Sequence, residues 1–94
     1  GVVLRIDCQV RELVKDGDRI VGVRYRHFDA ERSVRARKGV VLATGHFTNN
    51  PEMLKQYAPH LLDPRYERQY TPNDDGAGIQ LGLAAGGQAL HMAR

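Results

Sequence analysis

The sequence contains few of the residues on which disulfide-rich or nucleic-acid-binding domains depend. Its 94 residues include one cysteine, Cys8, and no tryptophan, and only 6% of them are aromatic. A single cysteine excludes an intrachain disulfide and is typical of a reducing compartment, so we predict a cytoplasmic location. Cys8 lies in a strand-like stretch and is interpreted as a small buried hydrophobe. No apolar run approaches the length that crosses a bilayer, so no transmembrane segment is expected.

The charge of the sequence is only weakly basic. Fourteen Lys and Arg stand against 11 Asp and Glu, which gives a formal net charge of +3. Such a charge attracts phosphate groups through a non-specific field. Tyr25 and Phe28 are the only aromatics on or beside the predicted sheet, too few for a platform on which bases stack. Nucleic acid is therefore not expected as a partner.

The sequence offers no recognisable catalytic or metal-binding constellation. Its histidines show no spacing that is typical of a metal site; they are His27, His46, His60 and His91. No nucleophile stands in a pattern that implies a neighbouring base. We therefore assign no catalytic residue and no metal.

Both ends of the sequence indicate a piece of a longer protein. Gly1 takes the place of an initiator methionine, and a strand-like run follows at once at residues 2–6. At the other end, Arg94 follows a helical pattern without a capping signal. A chain of this length makes one domain at most. We expect part of a single domain, with residues 1–37 forming one subregion and residues 38–94 another.

The first subregion predicts an antiparallel three-stranded β-meander. Alternating apolar residues indicate strands at residues 10–14, 20–27 and 33–37, joined by polar turns at residues 15–18 and 29–32. The alternation places Arg24 and Arg26 opposite Val23 and Tyr25. The Arg-rich face is expected to be solvated, or covered by the rest of the protein.

The second subregion begins with a different pattern. Residues 40–43 form a continuous apolar run, typical of a strand buried on both faces, and Thr44-Gly45 ends it. Asn49 or Asn50 can cap a helix at residues 51–57, since Pro51 suits its first position and a proline at residue 59 stops it. Residues 60–72 are predicted to form a loop.

A second helix is predicted at about residues 77–91, with N-cap candidates at residues 73–75. Gly78, Gly82 and Gly86 recur every four residues along it. Each glycine costs about 1 kcal/mol of helix stability in an exposed interior. Three on one stripe indicate that something approaches closely, either a ligand or the main chain of a packed neighbour.

Three segments together resemble a known flavoprotein family. They are Ala43-Thr44-Gly45, the stretch Asn49-Asn50-Pro51-Glu52-Met53-Leu54 behind it, and Asn73-Asp74-Asp75-Gly76-Ala77-Gly78-Ile79, which opens a helix that reaches Ala85-Gly86-Gly87. In this order they resemble the family of fumarate reductase, succinate dehydrogenase and 3-ketosteroid Δ1-dehydrogenase. The meander fits the same family, so the resemblance covers nearly the whole chain.

The resemblance implies part of an FAD-binding domain, of the α/β class in the whole protein and α+β in isolation. One strand of a Rossmann-like sheet and two helices would join the meander. Val10 would meet the adenine of FAD through its backbone, and Ala43, Thr44 and Gly45 would pass beside the adenosine and pyrophosphate. Asp75, Gly76 and Gly78 would lie near the cofactor or shape the turn that faces it.

The implied enzyme moves a hydride between a substrate C–C bond and the flavin, with a small organic molecule as substrate. The Gly-x-Gly-x-x-Gly fingerprint of dinucleotide-binding proteins is not in these residues, so the isolated chain is expected to be inactive and empty of FAD. It is also expected to self-associate. The 3-ketosteroid dehydrogenase branch resembles the chain most.

The sequence departs from the family pattern at two positions, and it is compatible with two other classes of protein. His46 stands where the family has a second glycine, and Asp75 precedes Gly76-Ala77-Gly78 where many members have Gly-Asp-Gly. Thr44-Gly45 is also compatible with an ordinary strand end, and Asp75 with a simple helix cap. The alternatives to a flavoprotein are a small basic module that binds polyanions and a structural piece without a ligand.

Overall fold

The computed structural model describes residues 1–67 and 72–93. They form two compact units, Gly1–Val41 and Leu42–Arg94, which are treated in turn. Within the described residues no helix is long and apolar enough to span a membrane.

The first unit is the predicted meander. Strands β1 (Cys8–Asp16), β2 (Arg19–His27) and β3 (Ala30–Arg35) form an antiparallel sheet in the order β1-β2-β3. The strand β3 begins and ends earlier than predicted, because Phe28 takes a φ of 52° and closes a two-residue turn in which His27 pairs with Ala30. The sequence prediction placed that turn at residues 29–32 because most of them are polar, and it missed the tighter turn.

The faces of the sheet follow the alternation in β2. Tyr25 is 6% exposed, whereas Arg24 on the opposite face is exposed and its Nη1 lies 2.8 Å from Glu12 Oε2. Cross-strand pairing sets Tyr25 between Val10 of β1 and Arg32 of β3. The arginines of the Arg-rich face are thus solvated in this structure, and the aromatic face carries the buried side chain of Tyr25.

The apolar run at residues 40–43 differs from its prediction. It is not a strand in this structure, and Val41 is 90% exposed. The strand-like run at residues 2–6 is likewise without strand structure, with Val2 96% exposed. A strand needs a hydrogen-bonded neighbour, and one that is buried on both faces also needs a layer packed on each face. No described strand pairs with either run.

The second unit has its core around the first helix. Helix α1 (Pro51–Tyr57) has the predicted bounds, and Asn50 is its N-cap, since Asn50 Oδ1 accepts the Met53 N–H at 3.1 Å. The core residues are Phe47, Met53, Leu54 and Ala58. A 3₁₀ helix (Pro59–Leu62) occupies the start of the predicted loop. Residues 68–71 of that loop lie outside the described part.

Helix α2 (Ala77–Ala84) is shorter than the sequence predicted. Gly86 takes a φ of 100° and donates its N–H to Leu83 O at 3.0 Å, and the Gly87 N–H bonds to Gly82 O at 2.9 Å. These two bonds form a Schellman motif, the usual glycine-dependent end of a helix. Gly86 is therefore the stop signal of α2 and not the third member of a packing stripe.

The half-buried carboxylate of Asp63 in the second unit gives a testable pH dependence. Hydrogen bonds from the side chain and then the backbone of Arg65 lower the pKa of Asp63 below its ordinary 3.8. We expect NMR titration of the Asp63 carboxyl to show this, and Arg65→Gln to return the pKa towards 3.8, since only the backbone bond remains. Because the folded pKa is the lower one, the small stabilisation is present above the unfolded pKa and is lost as pH falls through the folded pKa. An unchanged midpoint in the variant would contradict this assignment.

Candidate functional site

An open groove of about 330 Å³ runs in the second unit between residues 42–45 and α2. Its lining is uncharged and consists of Leu42, Ala43, Thr44, Gly45, Gly78, Ile79, Gly82, Leu83, Gly87, Gln88 and Ala89. On the extended side of the groove, residues 43–45 are exposed. The groove thus combines glycine and other small residues with aliphatic side chains, and no ionic side chain lines it.

The closest approach across the groove is between Thr44 and Gly78. Gly78 is buried, and a Cβ added there would meet Thr44 Oγ1 and lie 2.7 Å from Thr44 Cβ. Gly82, one turn further, has only an ordinary contact of 3.6 Å with Leu42 Cδ1. The glycines do not form one packing stripe: the side chain of Thr44 accounts for Gly78, whereas the contact at Gly82 does not require a glycine.

Two glycines with left-handed backbone lie where the Thr44-Gly45 segment meets the start of α2. Gly45 has a φ of 82° and Gly76, the N-cap of α2, a φ of 76°. The Gly76 N–H donates to His46 O at 3.1 Å, and a Cβ on Gly76 would lie 2.8 Å from Phe47 Cβ. The Thr44-Gly45 segment and the start of α2 therefore meet, as the sequence predicted. At His46 the carbonyl makes this contact, while the residue itself is exposed.

Two asparagines tie the start of α1 to the start of α2. Asn49 donates its N–H to Asp74 O at 2.8 Å, and Asn50 donates from Nδ2 to Asp75 O at 2.7 Å. Because the Asn50 Oδ1 also caps α1, a single side chain fixes both helix starts. The sequence showed the cap but not the second bond, because residue 75 is remote in the chain and nothing in its type marks it as a partner.

Asp75 acts as a cap of α2. Its Oδ1 accepts the Ala77 N–H at 3.0 Å from one position ahead of the N-cap, because the αL glycine at position 76 takes the N-cap place itself. One of the two alternatives left open by the sequence, capping, is therefore present in the structure.

The predicted cofactor residues fall into three places. Ala43, Thr44, Gly45 and Gly78 line the groove, while Asp75 and Gly76 lie at the start of α2. Val10 belongs to the first unit, where it pairs with Tyr25 in the sheet and is 39% exposed. The described residues include no cluster of His, Cys, Asp or Glu able to hold a metal ion.

The groove has properties that suit a dinucleotide better than a small ion. Gly45 lies on the exposed side of the groove, where its missing Cβ would lie 3.1 Å from Asp74 Oδ1, so the glycine makes room for that carboxylate. The N–H groups of Gly76 and Ala77 already donate to His46 O and Asp75 Oδ1, so the start of α2 adds the positive end of a short helix. The residues present therefore fit contacts to FAD through main chain, without a cationic side chain in the lining.

The sequence profile of the FAD binding domain matches residues 1–94. The chain belongs to this family. FAD is the cofactor of the FAD binding domain family. The predicted family is confirmed, and so is the predicted fold of a three-stranded antiparallel sheet with two helices, as part of an FAD-binding domain.

Relatives of known activity agree with the FAD binding domain family. The chain is 33% identical over 90 residues to the 4-oxocyclohex-2-ene-1-carboxylate 5-dehydrogenase of Sinomonas cyclohexanicum, covering 94% of this chain and 15% of the relative. It is 30% identical over 89 residues to the NADH:acrylate oxidoreductase of Vibrio harveyi, covering 92% of this chain and 9% of the relative. The NADH:fumarate oxidoreductase of Klebsiella pneumoniae (strain 342) is 34% identical over 61 residues, 65% of this chain and 7% of the relative.

A solved structure shows the same fold. The crystal structure of 3-ketosteroid-delta4-(5alpha)-dehydrogenase from Rhodococcus jostii RHA1, in complex with 4-androstene-3,17-dione, matches with a TM-score of 0.81 and 37% identity. The match covers 90% of this chain and 17% of that one. The chain thus spans less than a fifth of each of these relatives, which are oxidoreductases by name.

Proposed function

We propose that this chain supplies part of the FAD site of a larger oxidoreductase that moves a hydride between a substrate C–C bond and the flavin. The observation that carries the proposal is the uncharged groove where the exposed main chain of Thr44 and Gly45 meets the start of α2. The catalytic residues belong to parts of the larger protein outside this chain.

The proposed contacts follow the geometry of the second unit. Ala43, Thr44 and Gly45, which are exposed, pass beside the adenosine and pyrophosphate of FAD. Asp75 and Gly76 shape the turn that faces the cofactor. Thr44 binds through its main chain, since its side chain packs on Gly78.

Two further contacts complete the proposal. Val10, in the first unit, meets the adenine through its backbone. Gly78 acts indirectly, because the missing Cβ lets α2 lie against Thr44 and so sets the width of the groove.

The substrate class rests on the names of the relatives. These give fumarate, acrylate, 4-oxocyclohex-2-ene-1-carboxylate and a 3-ketosteroid as the molecules acted on. Each carries a C–C bond next to a carboxylate or a ketone. We propose a small organic substrate of this kind, a 3-ketosteroid among the candidates, and a cytoplasmic enzyme. When bound, FAD supplies the hydride-accepting or hydride-donating ring, and the residues of this chain hold and orient its adenosine half.

The isolated 94-residue chain is expected to purify without flavin. Binding energy at a dinucleotide site is collective, and the contacts of this chain alone do not offset the loss of translational freedom. The flavin absorbance of the purified chain checks this, with the longer protein that contains the chain as the positive control. A stoichiometrically yellow chain would refute the expected weakness, and a colourless longer protein would refute the flavoprotein proposal itself.

A basic module without a cofactor is the second candidate. One observation favours it: residues 1–41 contain ten Lys and Arg against six Asp and Glu. Titration with single-stranded nucleic acid at two salt concentrations separates the candidates, because polyanion binding weakens steeply with salt. The unpaired edges of β1 and β3 also favour self-association of the isolated chain, which sedimentation of the same sample measures.

A further inference from the structure

The first unit contains a pocket that the flavin proposal does not use. It has a volume of about 290 Å³ and lies on the aromatic face of the sheet. It is lined by Arg5, Ile6, Cys8, Tyr25, His27 and Arg32. No carboxylate lines it, although six Asp and Glu occur in residues 1–41.

The two arginines of the pocket have no ion-pair or hydrogen-bond partner in the described part of the chain. On the opposite face Arg24 pairs with Glu12, and Arg26 lies 3.6 Å from Asp29. Arg32 pairs in the sheet with Tyr25, so its side chain shares the face of Tyr25. Arg5 and Arg32 therefore bring positive charge without a carboxylate partner among the described residues to this pocket, and Arg35 is in the same condition on the opposite face.

Tyr25 adds a hydrogen-bond donor to the pocket. The residue is 6% exposed, while its hydroxyl has no hydrogen-bond partner in the described residues and is reached by solvent. The hydroxyl is therefore free to donate to an acceptor oxygen of a molecule in the pocket.

The polar groups of the pocket are mainly donors. The two guanidinium groups and the Tyr25 hydroxyl donate, and His27 Nδ1 lies 3.6 Å from Cys8 Sγ, which engages that ring nitrogen within the sheet. Two arginines in one pocket match an oxyanion best, because guanidinium groups bind carboxylate and phosphate in a forked geometry.

We propose that this pocket binds a small oxyanion, a phosphate or carboxylate group held by Arg5, Arg32 and the Tyr25 hydroxyl. None of the residues that line the pocket is among those proposed to contact FAD, although Val10 is the cross-strand neighbour of Tyr25. The proposal stands or fails regardless of whether the chain contributes to a flavin site.

The test titrates the 94-residue chain with inorganic phosphate, and separately with acetate, at constant ionic strength set with chloride. Backbone amide NMR shifts are followed. We expect saturable shifts at Cys8, Tyr25 and His27. The affinities for phosphate and for acetate show whether the pocket prefers a phosphate or a carboxylate group. Arg32→Gln is expected to weaken the binding about tenfold, the scale of one lost hydrogen bond to a charged group.

Two variants make the result specific to the pocket. Arg35→Gln removes the same charge from the same strand, but Arg35 is an odd number of residues from Arg32 and so lies on the opposite face; its binding is expected to stay within twofold of the unchanged chain. Tyr25→Phe keeps the packing and removes only the hydroxyl, and it is expected to weaken binding several-fold. Shifts that do not saturate, or equal losses in Arg32→Gln and Arg35→Gln, would overturn the proposal.

Discussion

Replacing Gly78 by alanine is expected to destabilise the second unit by about 2 kcal/mol, the scale of an overpacked buried contact. The new Cβ would meet Thr44 Oγ1 and lie 2.7 Å from Thr44 Cβ. A Cβ is fixed to the backbone and cannot rotate away, so residues 42–45 or α2 must shift. Chemical unfolding followed by circular dichroism measures the change. In the longer protein, the same substitution is expected to weaken FAD binding, because it widens or distorts the groove.

Gly82→Ala is the matched control for Gly78→Ala. It makes the same substitution one turn later in α2, where the added Cβ would have only an ordinary 3.6 Å contact with Leu42. Alanine is the better helix former, so we expect a gain of about 0.5–1 kcal/mol there. Similar effects at the two positions would show that the approach of Thr44 does not govern Gly78.

Replacing Gly76 by alanine is expected to destabilise the second unit by about 2–4 kcal/mol, for two added reasons. Its φ of 76° is left-handed, which costs an L-residue roughly 1–2 kcal/mol. Its Cβ would also meet the Met53 side chain and lie 2.8 Å from Phe47 Cβ, inside the core of the unit. The free energy of unfolding of the variant, measured in urea, checks the sum of the backbone cost and the packing cost.

The backbone cost can be measured separately at Gly17. This glycine has a φ of 61°, but nothing lies within 4 Å of where its Cβ would be. Gly17→Ala should therefore show the left-handed cost alone, about 1–2 kcal/mol. If Gly76→Ala loses no more free energy of unfolding than Gly17→Ala, the core around Met53 accommodates the added Cβ without cost.

The groove proposed to bind FAD shows how far the sequence alone can locate a candidate functional region. The pattern of Thr44-Gly45 and of Asp75-Gly76 predicted that two remote segments meet, and the hydrogen bond from Gly76 to His46 joins them. Their contacts to FAD stay a prediction. The clamp by Asn50 was not predicted, because the cap pattern accounts for only one of the two bonds that its side chain makes.

The sequence by itself determined the meander and α1. Both are local: alternation and short turns define the strands, and Asn50, Pro51 and Pro59 define the helix. The sequence did not reveal the end of α2, because a glycine every four residues is compatible with either a packing stripe or a C-cap. Only the Schellman bonds of Gly86 and Gly87 distinguish the two.

Tertiary structure alone decided the fate of the apolar run at residues 40–43 and the pocket around Tyr25. Whether a segment forms a buried strand depends on its neighbours, and the residues of the apolar run do not specify whether those neighbours are present. The pocket, likewise, exists because cross-strand pairing brings Arg32 beside Tyr25 and Cys8 beside His27, residues far apart in the chain. Local propensity sets what a segment can form, and the partners supplied by folding set what it does form.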